Sequence, residues 1–170
     1  MSVKFEDNRI KVKNAIKEEC ISWLHEASGE IVTETQRNLG KLKGRWFTEQ
    51  AQKWQYKVDE SKLESTIGNP EERSLWTEFG TGSFADGGKG RKGWWVYVKD
   101  ENGSETTTSS SKKSYTLEEA KQIMAMLRAD GLDAHITRGQ QPKRPFKMAW
   151  DKLKPKLIRS VEKRFGGKWE

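Results

Sequence analysis

The residues with the most obvious chemical potential are the glycines of segment 80–93. A phosphate-binding loop needs a glycine, four further residues, and then Gly-Lys followed by Ser or Thr. In this chain Gly88-Lys89 has Ser83 at the position of the first glycine and Gly90 at the position of the hydroxyl residue. The segment therefore departs from the nucleotide-loop pattern at two defining positions.

The remaining reactive side chains are few and scattered. His25 and His135 fall on separate predicted elements, without a Cys or carboxylate at metal-ligand spacing. Cys20 is the single cysteine, so an intramolecular disulfide is excluded, and it falls on the apolar stripe of a predicted helix. No nucleophile is accompanied by a base and an orienting group. We predict no catalytic, cofactor-binding or metal site, and an enzyme is the weakest function class.

Composition predicts a single domain spanning 1–170, with a small core. The chain is 33% hydrophobic and 34% charged, and eight Trp and six Phe compensate because each aromatic buries a large area. No apolar run approaches the roughly 20 residues that a membrane span needs. The first residues lack the apolar region of a signal peptide, so we expect a cytoplasmic protein that does not enter a membrane.

Hydrophobic periodicity predicts the elements of the first half. Apolar residues spaced by three and four predict a long amphipathic helix over 9–38, with Gly40 as its stop. The further predictions are a strand at 52–58, a partner strand at 64–67, a short helix at 71–79 and a flexible loop at 80–93.

An inserted unit is predicted over 94–138. Residues 94–98 form a strand, and Asn102-Gly103 before a threonine-rich run is a strong hairpin signal. Thr116 and Glu119 fit a capping box that opens a helix ending near Gly131. Residues 134–137 then return to the sheet as a strand.

The last predicted element begins near Pro145 and follows one apolar stripe. Pro155 falls within that stripe, so the pattern fits either one kinked helix or two short ones. The expected fold class is α+β. A small, mainly antiparallel sheet is packed by a long N-terminal helix and a C-terminal helix, and the hairpin–helix–strand unit at 94–138 extends the sheet.

Trp94 and Trp95 are candidate interface residues, together with the Asn102-Gly103 hairpin. Neighbours on a strand point to opposite faces. One indole therefore faces outward as an interface anchor, or helices cover the sheet on both faces.

The net charge of +7 is concentrated at the C-terminus. Residues 138–170 carry eleven basic and three acidic residues, whereas 1–137 sum to −1. The charge favours an acidic partner or non-specific DNA, and the alternative is a solvated helix face. Phe146, Trp150 and Phe165 share the apolar stripe, so we expect them to be buried. The candidate contact residues are Lys152, Lys154, Lys156, Arg159, Lys163 and Arg164.

Three short motifs occur in a fixed order along the chain. The first is the turn at 40–46, the second is Leu-Trp-Thr-Glu-Phe-Gly-Thr-Gly at 75–82, and the third is Arg-Pro-Phe at 144–146. In this order and spacing the chain resembles the phage head–tail joining family, the neck or tail-completion proteins similar to gene product ten of lambdoid phages. The motif residues are Gly40, Leu42, Trp76, Glu78, Phe79, Gly80, Thr81, Gly82, Arg144, Pro145 and Phe146.

Two features depart from the family pattern. Residues 38–39 are Asn-Leu where the family often has Asp-Thr, and many members lack the insertion at 94–138. Physical chemistry gives the motif residues structural roles, because glycines permit positive φ and Pro145 suits a first helical turn. We also hypothesise that Glu78 and Arg144 pair across the fold.

The resemblance implies a virion protein that assembles in the host cytoplasm. Its expected partners are further copies of itself in a ring, together with head-closure, connector or tail-tube proteins. Segment 80–93 and the hairpin at 102–103 are the expected contact segments. The alternative function is a basic DNA-binding accessory protein of phage packaging or head completion.

Overall fold

The computed structural model describes residues 7–101, 105–107 and 114–166. The chain divides into two compact units. The terminal unit comprises Met1–Glu72 and Pro145–Glu170, and the central unit comprises Arg73–Arg144. The predicted insertion at 94–138 lies wholly within the central unit.

Helices and strands of the two units confirm the α+β class. In the terminal unit they are α1 (Arg9–Gly40), α2 (Arg45–Gln52), β1 (Gln55–Asp59), β2 (Glu64–Gly68) and α5 (Pro145–Phe165). In the central unit they are β3 (Trp95–Lys99), β4 (Glu105–Thr107), α4 (Leu117–Ala129) and β5 (Asp133–Thr137), while α3 (Glu72–Phe79) begins at the boundary. None of the helices among the described residues is long and apolar enough to cross a membrane.

The terminal unit is built on the packing of α1 against α5. Ala27 and Ile31 of α1 and Leu157 of α5 form a buried cluster, on which Trp23 and Leu153 also pack. The strands β1 and β2 form an antiparallel hairpin, as their alternating patterns predicted. Helix α5 runs as a single element through Pro155, which decides between the two predicted alternatives.

Helix α2 is an element that the sequence patterns missed. It spans eight residues, too few to display a helical period, and its apolar residues Trp46 and Phe47 are adjacent rather than spaced. It begins after Gly44, whose φ of 132° lies outside the range that other residues adopt readily. The predicted strand at 52–58 consequently begins later, at Gln55.

The central unit has its own three-stranded antiparallel sheet, in the order β4-β3-β5. Val96, Ala120 and Ala134 form its buried core between the sheet and α4. The capping box is present, since Thr116 accepts from the Glu119 amide and the Glu119 carboxylate accepts from the Thr116 amide.

The inserted strands do not extend the first sheet. The β1-β2 pair and the β4-β3-β5 sheet are separate, so the expectation of one continuous sheet is wrong. Each sheet pairs within one unit, because β3 finds both of its partners inside the insertion. Asn102 and Gly103, between β3 and β4, lie outside the described residues, as does the polar run at 109–113.

Candidate functional site

The central motif, residues 75–82, ends in a turn that follows α3 and lies against the segment that precedes the Arg-Pro-Phe motif. The Thr81 amide donates to the Gln140 carbonyl at 2.9 Å, and the Ser83 amide donates to the Arg138 carbonyl at 2.9 Å. The Gln140 amide in turn donates to Thr81 Oγ1 at 2.9 Å. The Gly-Thr-Gly turn is therefore hydrogen-bonded to the segment that leaves β5.

The end of α3 is joined to the Arg-Pro segment through one carbonyl. Thr77 is fully buried, and its carbonyl accepts from the amides of Lys143 at 2.8 Å and Arg144 at 3.3 Å. The central motif and the start of the Arg-Pro-Phe motif are thus neighbours in space although they are distant in sequence. Nothing in hydrophobic periodicity predicts this contact, because backbone groups of irregular segments make it.

Glycine is required at two motif positions. A Cβ on Gly82 would lie 2.4 Å from the Arg138 carbonyl and 2.4 Å from the Trp95 ring, and φ there is +58°. A Cβ on Gly80 would lie 2.8 Å from the Gln140 carbonyl, with φ of +73°. These contacts allow no side chain, so the backbone approaches its neighbours more closely than any other residue type permits.

Segment 80–93 is folded into packed turns rather than an open loop. It contains two short 3-10 turns, Gly82–Phe84 and Asp86–Gly88. A Cβ at Gly90 would lie only 2.0 Å from the Gly82 carbonyl, so the segment also packs against itself. The expectation of a flexible loop overlooked these close approaches, which glycine alone makes feasible.

Arg144 has a different partner from the one we hypothesised. Its guanidinium donates to Asp86 Oδ1 at 2.7 Å, so its ion pair is with Asp86 and not with Glu78. Its φ is +53°, uncommon for a residue with a side chain. Two interactions hold Arg144 in this conformation, immediately before Pro145. They are the ion pair with Asp86 and the hydrogen bond from the Arg144 amide to the Thr77 carbonyl.

Three large apolar side chains of α3 are exposed. Leu75, Trp76 and Phe79 are 55%, 40% and 52% exposed, whereas Thr77 and Glu78 of the same helix are buried. Residues three and four apart on a helix are surface neighbours, so Phe79 adjoins both Leu75 and Trp76. The Trp-Thr-Glu-Phe motif therefore presents its aromatic side chains outward.

Trp94 and Trp95 lie on opposite sides of the central sheet, as strand geometry predicted. Trp94 packs with the core beneath α4, and the Arg138 guanidinium lies 5.7 Å from its ring. Trp95 lies on the other side, where the Arg91 guanidinium is 4.9 Å from its ring. Both indoles are half-buried. Trp95 therefore faces away from the core, as one of the two alternatives predicted, but it is not fully exposed.

A cleft of about 750 Å³ opens beside Trp95, entirely within the central unit. The described residues that line it include no acidic side chain. They are Arg73, Trp76, Thr81, Arg91, Trp95, Tyr97, Thr107, Thr137, Gly139 and Gln140. Hydrophobic periodicity did not predict this cleft, although the alternation of Trp95, Tyr97 and Lys99 could have indicated a second face of β3 that carries large side chains.

Three of the six candidate basic residues of α5 are paired with α1. Lys152 donates to Glu34 at 2.7 Å and Lys156 donates to Glu30 at 2.7 Å. The Arg164 guanidinium bonds Glu19 at 3.3 Å and also bonds Glu26. Much of the C-terminal basicity thus balances the acidic face of α1.

The other three basic residues differ. Lys154, Arg159 and Lys163 form no ion pair with the described part of the chain. Arg159 instead donates to the Pro155 carbonyl within its own helix at 3.2 Å. The charge available on α5 for an external partner is therefore about half of what the residue types indicated.

Glu34 has the best-defined electrostatic environment of these pairs. Its side chain is 7% exposed, and its carboxylate also accepts a hydrogen bond from the Arg37 guanidinium at 2.8 Å. The hydrogen bond from Lys152 holds the pKa of Glu34 below its usual value, although burial acts in the opposite direction. Glu34 is therefore a charged anchor between α1 and α5.

The aromatic residues of α5 are not uniformly buried. Phe146 stacks on Trp54 with ring centroids 5.4 Å apart and packs against the α1–α5 core. Trp150 is 42% exposed, so the expectation that it is buried is wrong. Phe165 is half-buried at the last residue of the helix. Trp150 lines a surface groove together with Trp23 and Ile158.

The first motif marks the end of α1. Gly40 is the last helical residue, and the Leu42 amide donates to the Leu39 carbonyl at 2.9 Å in the turn that follows. Leu39 is fully buried and Leu42 partly buried. The motif residues Gly40 and Leu42 thus shape the connection from α1 to α2.

The histidines occupy aromatic environments. His25 meets Tyr56 edge-on at 5.8 Å, and His135 stacks on Tyr97 at 5.3 Å while its Nε2 lies 2.8 Å from Asp133. Among the residues that the structure describes, no group of three or more His, Cys, Asp or Glu side chains could hold a metal ion.

Comparisons with known proteins returned no match. No protein-family model matches the chain, no curated protein resembles it significantly in sequence, and no solved structure resembles it significantly in fold.

Proposed function

We propose that the protein is a structural component of the phage head–tail junction, a neck or tail-completion protein that forms a homo-oligomer and docks onto connector or tail proteins. The observation that carries the proposal is the convergence of the motifs. Segment 75–82 and the approach to Arg144 are joined through Thr77, Thr81 and Gln140. The central motif and Arg144 therefore belong to one local structure of the central unit, and this supports the proposal.

The apolar surface of α3 supplies a contact surface for such assembly. Proteins that remain monomeric rarely expose large contiguous apolar patches, and aromatic residues are enriched among interface anchors. Trp76 and Phe79 are both aromatic and both exposed. Thr77, between them in the helix, has a carbonyl that accepts hydrogen bonds from two amides. In this proposal the rigid turn positions the aromatic pair for a neighbouring subunit.

The charge distribution supports assembly over the DNA-binding alternative. That alternative assigns DNA contact to the basic residues of α5. Lys152, Lys156 and Arg164 are committed to glutamates of α1, which lowers the positive charge available to phosphates. Intramolecular pairing gives these residues a role in holding α5 on α1.

Deletion of the gene from the phage genome that encodes it, followed by electron microscopy of lysates, tests the proposal. Filled heads separate from finished tails, with particles restored by the gene in trans, are the expected result. Empty heads beside normal tails would instead support the packaging alternative. Normal infectious particles without the gene would overturn both functions.

Complementation with variants tests the α3 surface. We expect Phe79→Glu to fold but fail to restore joined particles, because a charge then replaces the aromatic contact. Met126→Glu is the matched control, since Met126 is also exposed, on α4 of the same unit. Full rescue by both variants would remove the α3 surface from the proposal.

A further inference from the structure

Helix α4 covers one face of the central sheet, and the other face borders the cleft beside Trp95. Val96 and Val98 of β3 pack with α4, so the alternate residues Trp95 and Tyr97 lie on the opposite face. The strand register places Thr137 opposite Trp95 and His135 opposite Tyr97. On this open face, rings from two neighbouring strands lie side by side.

The rings on the open face form a row with cations at both ends. Tyr97 and His135 are stacked, with centroids 5.3 Å apart and planes 23° from parallel. The Arg91 guanidinium lies 4.9 Å from the Trp95 ring, and Lys99 Nζ lies 6.0 Å from the Tyr97 ring. Guanidinium and ammonium groups on aromatic faces place positive charge beside flat apolar surface.

Trp95 is held in place by the glycine turn. Its ring fills the space where a side chain on Gly82 would be, at 2.4 Å from the ideal Cβ position. Arg91 lies against the ring as well. A ring fixed in this way needs little ordering when a ligand stacks nearby, which lowers the entropic cost of binding.

The cleft beside the row combines basic and polar side chains in its lining. Arg73 and Arg91 line it, Thr137 and Gln140 add polar groups, and none of the described lining residues is acidic. Asp133 lies at the far end of the face, in register with Lys99. The cleft therefore places arginine side chains beside aromatic ones.

We propose that this cleft and the open face of β3 and β5 bind single-stranded nucleic acid. Unpaired bases stack on aromatic side chains while arginines bind the phosphates of the backbone. A duplex keeps its bases inside the helix and offers the rings no flat partner. An acidic peptide would satisfy the arginines alone. The site is distinct from the basic helix α5, and it goes beyond the assembly role without depending on it.

Fluorescence anisotropy of the purified full chain with a labelled oligothymidylate, about a dozen nucleotides long, tests the proposal. Binding that weakens as salt rises is expected, together with much weaker binding of a duplex of equal length. Tyr97→Ala should weaken binding about tenfold, because one stacking platform is lost. Arg91→Gln should weaken binding and lower the salt dependence by about one ion.

The controls separate this site from general basicity. Arg159→Gln removes the same charge from α5, outside the cleft, and should leave binding unchanged. Circular dichroism of each variant verifies the fold, and if Tyr97→Ala unfolds, Arg91→Gln against Arg159→Gln still decides. Equal losses in those two variants, equal binding of the duplex, or no binding of the oligothymidylate would each overturn the proposal. Displacement by polyglutamate as effective as by unlabelled oligothymidylate would also overturn it and assign the cleft to acidic protein segments.

Discussion

The α1–α5 helix pair and the glycine turn after α3 are stabilised in different ways. In the helix pair, side chains make the contact: Leu157 packs on Ala27 and Ile31, and ion pairs such as Lys152 with Glu34 join the helices. In the glycine turn the backbone makes the contact, through amide–carbonyl bonds between segments 81–83 and 138–140.

This difference determines which substitutions each region tolerates. A contact between side chains is spread over many atoms, so neighbours can relax partly when one is truncated. A close backbone approach leaves no atom that can move alone, and any Cβ must displace a carbonyl or a ring. We therefore expect the glycine turn to be the more sensitive region, and the following predictions test that ranking.

Gly82→Ala should give the largest loss of stability, about 3 kcal/mol or more. Left-handed backbone conformation costs a residue with a Cβ about 1–2 kcal/mol. Overpacking a filled site typically costs about 1–3 kcal/mol more. The new methyl would meet the Arg138 carbonyl and the Trp95 ring. Urea or thermal unfolding of the purified protein measures the change.

Gly87→Ala is the control for that substitution. Gly87 has φ of +74°, and a Cβ there would meet no atom within 4 Å. It should lose only the conformational term, about 1–2 kcal/mol. Equal losses at Gly82 and Gly87 would show that close approach contributes nothing and would break the comparison.

Leu157→Ala should cost about 2–3 kcal/mol, because truncation of a buried leucine loses transfer free energy and leaves a cavity. Ile158→Ala, at the exposed neighbouring position, should cost well under half of that. Chemical unfolding of both variants provides the measurement. A loss at Leu157 that exceeds the loss at Gly82 would reverse the ranking of the two regions.

Periodic elements were the part of the fold that the sequence could predict. The stripe of α1, the β1-β2 alternation and the capping box at Thr116 each record a local rule in consecutive residues. A helix or strand repeats its geometry, so a short window of sequence holds enough information to identify it. All three predictions are confirmed.

Contacts between irregular segments were the part of the fold that could not be predicted from the sequence. The bonds between Thr81 and Gln140 and the ion pair of Arg144 with Asp86 depend on where β5 ends, which no local pattern encodes. The pairing of α5 lysines with α1 glutamates also depends on a helix–helix register. For that reason the basic run resembled a free surface in sequence, and the cleft beside Trp95 was missed.

Gln50→Met tests a polar group in the terminal unit and should stabilise the protein by about 1 kcal/mol, because an unpaired buried amide costs about 1–3 kcal/mol. Gln50 is fully buried, and its Oε1 and Nε2 have no hydrogen-bond partner among the described residues. Its backbone carbonyl accepts from Asn69 and is unaffected. Gln52→Met, at an exposed position on the same helix, should be close to neutral. Destabilisation by Gln50→Met in an unfolding titration would show that the amide is satisfied in solution.

Glu34→Gln should give the smallest effect, and one that depends on pH. The Lys152 hydrogen bond lowers the folded-state pKa of Glu34, so its stabilising contribution is complete above the ordinary value of 4.5 and is lost as the pH falls through the folded-state pKa. The wild type should therefore be more stable than Glu34→Gln at neutral pH, and the difference should shrink in acid. Glu49→Gln, which disrupts the exposed pair with Arg45, should show a smaller difference at neutral pH. Unfolding free energies of the wild type and both variants, measured from neutral to acidic pH, provide the test. If the difference between the wild type and Glu34→Gln is constant with pH, the α1–α5 ion pairs add no charge-dependent stability to the helix contact.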